Sequence, residues 1–124
     1  MSKRLLVTLL VVGLGVCGLQ AETLPLVKDI LKSPTGYLFT KDEKKALEKL
    51  GSEQEVNKFM ELFWAKRDPD LNTQVNEFKA DFEARVKAAD KMFAVGSTPG
   101  SLTDRGKVLI LLGRPTRASN LPAG

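Results

Sequence analysis

Hydrophobic positions recur at helical spacing over two long stretches of the chain. Val56, Phe59, Met60, Phe63 and Trp64 follow one another at steps of three, one, three and one, which places them on a single apolar stripe. Val75, Phe78, Phe82, Val86, Ala89 and Phe93 repeat at steps of three and four, the clearest amphipathic helix in the sequence. The spacing predicts helices over about 52–68 and 73–93. Between them lies Arg67-Asp68-Pro69-Asp70-Leu71-Asn72-Thr73. Pro69 disfavours helical geometry at Asp68 and removes a backbone donor. Asn72 or Thr73 is placed to cap the second helix. A short linker between two amphipathic helices predicts an antiparallel hairpin, with Phe63 and Trp64 facing Phe78, Phe82 or Val86. A shorter helix over 41–50 precedes it. Thr40 and Glu43 form a capping box, Gly51 stops the helix, and Ser52 with Glu55 repeats the device for the next one.

The period changes after residue 94. Gly96, Pro99 and Gly100 mark a loop, and Lys107–Leu112 is then nearly all apolar between Gly106 and Gly113-Arg114-Pro115. Such a bounded run predicts a β-strand over 107–112 buried on both faces. The expected fold class is therefore α+β, a helical hairpin with a short preceding helix and one buried strand. A buried strand needs a partner for its backbone groups. The other β-prone run is Tyr37-Leu38-Phe39, so the expected partner is 35–39 or another chain. Residues 22–39 read as a lead-in arm: Leu24, Leu26, Val27, Ile30 and Leu31 suit a short helix, and Ser33-Pro34-Thr35-Gly36 ends it.

The first residues follow a different logic. Lys3 and Arg4 precede an uncharged, Leu- and Val-rich run from Leu5 to Leu19, which closes on Gln20-Ala21. Positive flank, apolar centre and small-residue exit predict a secretory signal peptide over 1–21. The rivals are an uncleaved membrane anchor and lipidation of Cys17, where Val16 is large for a lipoprotein signal. The resulting organisation is 1–21 signal peptide, 22–39 arm, 40–116 domain and 117–124 tail. The expected location is secreted or periplasmic, with a membrane partner only if the segment stays uncleaved or Cys17 carries lipid.

Composition narrows the chemistry. At 124 residues the chain has room for one domain. It has no His, which excludes a His-based triad and an imidazole base. A lone Cys excludes an intrachain disulfide and a Cys-cluster zinc site. Losing Lys3 and Arg4 halves the formal charge of +4, so the basic pI is no argument for nucleic acid.

Asp68, Asp70, Asn72, Gln74 and Asn76 alternate like the start of a calcium loop. However, Thr73 and Lys79 stand where that loop needs Gly and Glu. No metal and no cofactor is expected. Glu77 opens the long helix, where the helix dipole favours a carboxylate. Thr103-Asp104-Arg105-Gly106 reads as a turn before the strand. Asp68, Glu77 and Asp104 remain as candidate carboxylates for general acid–base hydrolysis, which requires a shared cleft and a raised pKa.

The motifs also come in a recognisable order. Phe63-Trp64-Ala65-Lys66-Arg67-Asp68-Pro69-Asp70, Asn76-Glu77, Arg85 and Ala88–Phe93 are followed by Gly100-Ser101-Leu102-Thr103-Asp104-Arg105-Gly106 and Gly113-Arg114-Pro115. Over roughly 37–116 the chain resembles the GWxTD domain family of bacterial proteins, usually found behind signal peptides. The family's name-giving Trp is Ser101 here. Its domain usually continues past the Gly-x-Pro turn, so 40–116 is expected to be either a shortened domain or one whose C-terminal part is missing. The resemblance implies a compartment and marks a set of motif positions, Arg67, Asp68, Asn76, Glu77, Arg85, Thr103, Asp104 and Arg105, without assigning binding to any of them. It implies no reaction. The leading expectation is a non-enzymatic interaction or structural module of the cell envelope, whose partner is an unspecified protein or envelope component. A carboxylate-dependent hydrolase and a membrane-tethered accessory protein are the alternatives.

Overall fold

The computed structural model describes residues 22–116; the predicted signal segment 1–21, with Cys17, and the tail 117–124 lie outside the described residues. Five α-helices follow in chain order: α1 Pro25–Lys32, α2 Lys41–Glu48, α3 Glu53–Ala65, α4 Glu77–Phe93 and α5 Asp104–Leu112. Short 3-10 turns at Pro34–Leu38 and Gly100–Leu102 link them. Each start has a local cause. Pro25 opens α1 at a position whose N–H has no helical partner. Thr40 and Glu43 close a reciprocal capping box on α2. Ser52 caps α3 and Asn76 caps α4.

The buried residues fall into two clusters. Val27, Phe39, Leu47, Val56 and Phe63 join α1, α2 and α3. Phe82, Ala89, Leu109 and Ile110 join α4 to α5. Trp64 and Leu38 pack against both and tie the halves together. Across the α3–α4 turn, Trp64 meets Phe82 at 5.6 Å between ring centroids. Phe63 faces the other way, stacked on Phe39 at 4.4 Å. Phe78 stays 38% exposed. The expected hairpin is thus a joint at one aromatic pair, because the main packing partner of α4 is α5.

The α+β expectation is overturned. Residues 107–112 lie in α5, and no β-strand occurs among the described residues. Thr103 is the reason: it sits in extended geometry and its hydroxyl accepts the Gly106 N–H at 3.1 Å, which makes it a helix N-cap rather than a turn residue. Asp104 follows in the first turn, and Gly113 ends the helix at φ +79°. Gly106, Leu109 and Ile110 are buried while Val108, Leu111 and Leu112 are exposed. That is helical spacing on both faces, concealed in the sequence because both are apolar. The expected strand partner is also absent: Pro34–Leu38 is a 3-10 turn. The β pairing present among the described residues is one isolated bridge, Val95 with Thr98.

Candidate functional site

The α3–α4 turn gathers several of the motif residues. Asn76 Oδ1 accepts the Lys79 N–H at 2.9 Å, and its Nδ2 donates to the Trp64 carbonyl at 2.7 Å. One side chain therefore caps the start of α4 and fastens it to the end of α3. Asn72 and Thr73, the expected caps, stay in the turn. Asp68 accepts the Asp70 N–H, and Asp70 accepts the Asn72 N–H. Glu77 accepts the Thr73 hydroxyl at 2.7 Å in an exposed position. Asp68, Asn76 and Lys79 share an open cleft of about 640 Å³ beside Trp64, and Lys79 Nζ stands 5.5 Å from the Trp64 ring centroid.

Arg67 serves the fold. Its guanidinium lies 3.7 Å from the centroid of the Phe63 ring and donates to the carbonyls of Phe63 and Leu38. It also meets Glu43 Oε2 at 2.9 Å. Arg67 therefore pairs with Glu43 rather than Asp68, and Arg85 pairs with Asp81 at 2.7 Å. Arg67 hydrogen bonding holds the Glu43 carboxyl below its ordinary 4.5; burial opposes this and the Thr40 N–H reinforces it.

A folded pKa below the unfolded one gives stability that is present above pH 4.5 and lost as pH falls through the folded value. Urea midpoints of wild type and Glu43→Gln should therefore differ at neutral pH and converge in acid. A constant gap across that range would show that the clasp contributes nothing through its charge.

The segment around Ser101 is a backbone joint. Ser101, where the resemblance expects Trp, is 3% exposed. Its N–H donates to Asp90 Oδ1 at 2.8 Å, and its carbonyl accepts the Tyr37 hydroxyl at 2.9 Å. Burial, and secondarily the charge of Asp104, hold the Tyr37 phenol above its ordinary 10.0. Gly100 lies so close to α4 that a Cβ there would collide with the Ala89 carbonyl. Thr103 completes the joint by donating to the Gly100 carbonyl at 2.6 Å while capping α5.

The three candidate carboxylates are not gathered in one cleft. Asp68 lies in the turn that follows α3, and Glu77 begins α4. Asp104 begins α5, beside the Gly100–Leu102 turn that abuts Ala89. Ala89 stands about 18 Å along α4 from Glu77 at ~1.5 Å per residue. Among the described residues no group of three His, Cys, Asp or Glu side chains is placed to hold a metal ion.

What the sequence reading missed lies at the other end of α4. The C-terminal turn of α4 and the outer side of α5 enclose an apolar groove of about 680 Å³. Arg105, Val108 and Leu112 stand on one side, Met92 and Phe93 on the other, with the buried Leu109 as floor. Leu112 is 79% exposed, and Val108 and Met92 each 56%. Arg105 holds its guanidinium 5.0 Å from the Phe93 ring centroid, and Arg114 lines the same groove. The spacing of 105, 108, 109 and 112 was the available signal, and it is read once α5 is known to be a helix. Arg85 reaches the end of the same helix from α4, donating to the Ile110 carbonyl at 3.3 Å.

Comparison with curated proteins and with solved structures gave no match. The description of the GWxTD domain matches residues 17–123, which takes in every helix described above. With the match covering most of the chain and the Gly100–Gly106 motif forming the joint between its last two helices, the chain belongs to the GWxTD domain family.

Proposed function

We propose that this chain is a non-enzymatic interaction module that works outside the cytoplasm, in or near the cell envelope, by holding a partner protein on its α4–α5 face. The observation that carries the reading is the contrast between its polar and apolar groups. Arg67, Asn76, Arg85, Thr103 and Asp90 are engaged in internal bonds. Val108, Leu112 and Met92, in contrast, stand open to solvent around one groove. Exposed apolar groups gathered in one patch on a small domain mark an interaction surface. The N-terminal pattern of Lys3, Arg4 and the Leu5–Leu19 run supports export.

Two measurements test it. The intact mass of the chain recovered from fractionated cells should begin at Glu22; an uncleaved Met1 form accumulating in the cytoplasm contradicts export. On native gels of gently extracted envelope, the wild-type chain should migrate as a complex. The paired exposed substitutions Val108→Gln and Leu112→Gln should release it as monomer with stability changed by no more than about 0.5 kcal/mol each. A wild type that runs as monomer, or a variant that stays in the complex, overturns the interaction reading.

A further inference from the structure

We infer that the α4–α5 groove takes an acidic amphipathic helix of the partner protein, its apolar side chains on Phe93, Val108 and Leu112 and its carboxylates on Arg105 and Arg114. This rests on the interaction reading and adds the chemistry of the partner. Arg105, Val108, Leu109 and Leu112 stand at i, i+3, i+4 and i+7, one stripe along about 10 Å of α5 at ~1.5 Å rise. A stripe of that length matches two turns of a helix laid in the groove with anchors at the same spacing.

The charge on the groove selects the partner. Arg105 and Arg114 are both exposed, and among the described residues neither reaches a carboxylate within ion-pair distance. Arg105 is held over the Phe93 ring, which positions its planar fork. A fork of that kind matches a carboxylate with two parallel hydrogen bonds. A two-fold pairing of this face with a second copy would bring Arg105 and Arg114 of both chains together, and like charges facing across an interface oppose association. A bilayer surface would cover the protruding Leu112 and leave the recessed floor at Leu109, 6% exposed, unfilled.

The test uses the full chain with methyl-labelled Met, Val and Leu, and a synthetic helical peptide carrying a Leu stripe flanked by Glu. A matched peptide flanked by Lys is the control. The Glu peptide should shift the Met92, Val108 and Leu112 methyl signals and bind roughly tenfold or more tightly than the Lys peptide. Arg105→Glu with Arg114→Glu should reverse that preference. Equal binding of the two peptides, shifts at other methyls, or no binding overturns the inference. So does concentration-dependent self-association, or binding to phosphatidylglycerol vesicles in place of the peptide, registered at the same methyls. The native gel separates the two failures. If the Val108/Leu112 variant loses the complex and the Arg105/Arg114 variant keeps it, the interaction reading stands and the acidic partner falls.

Discussion

Phe63→Ala is expected to destabilise the domain by about 3–5 kcal/mol, the range for truncating a buried aromatic. Phe63 is 2% exposed and stacks on Phe39 at 4.4 Å between centroids. It meets Trp64 edge-on at 5.1 Å and carries the Arg67 guanidinium over its face. Truncation therefore leaves a cavity in the first cluster and removes the platform under the Arg67–Glu43 clasp. It also loosens Trp64, through which the first cluster reaches Phe82. For a domain of this size each kcal/mol shifts the melting temperature by about 4–8 °C, so the effect is large on any thermal scan. Phe78→Ala, on the exposed side of α4, is the comparison and should change stability far less. Equal midpoints for Phe63→Ala and wild type would contradict the packing described.

The helices of the first half were legible because their boundaries carry redundant signals. Thr40 with Glu43 and Ser52 ahead of the Val56–Trp64 stripe each marked a start that the structure reproduces. α4 was legible as a helix, but its beginning was not, since the turn offers Asn72, Thr73 and Asn76 as caps. Asn76 prevails because its amide also reaches the Trp64 carbonyl, a tertiary contact that no local pattern displays. The failure at 107–112 has a different origin. A run of apolar residues has no visible period, so strand and helix are separated by their ends. The decisive end was Thr103, read as a turn residue and found as an N-cap.

The site was legible in part and for a related reason. Six of the eight positions named from the family resemblance, all but Asp104 and Arg105, are engaged in specific bonds, and those bonds hold the chain to itself. Arg67 reaches back to Leu38 and Glu43 across more than twenty residues, a distance over which a sequence displays no pairing. Arg105 is among the motif positions named from the resemblance, but the sequence reads it as part of a turn. The apolar groove it borders was hidden, because Val108 and Leu112 had been assigned to a buried strand.

Gly106→Ala tests the joint on which that groove depends, and the expected sign runs against helix propensity. Gly106 lies inside α5, where Ala is ordinarily favoured over Gly by about 1 kcal/mol. Here a Cβ would fall on the Gly100 carbonyl and crowd the Ser101 Cα, both backbone atoms. Neither moves without displacing the 3-10 turn from Ala89 of α4, so the substitution must push α5 outward or bend it. Forcing atoms into a packed site costs about 1–3 kcal/mol and sometimes more, which exceeds the propensity gain. Net destabilisation is therefore expected in urea or thermal unfolding, with weakened amide protection at Leu109 and Ile110. Gly51→Ala supplies the control: a Cβ there has nothing nearer than Glu55 Oε2 at 3.9 Å, so that variant should be neutral or slightly stabilised. A Gly106→Ala chain as stable as Gly51→Ala would mean that α5 does not lie against the Gly100 backbone, and the groove walls would then have to be placed differently.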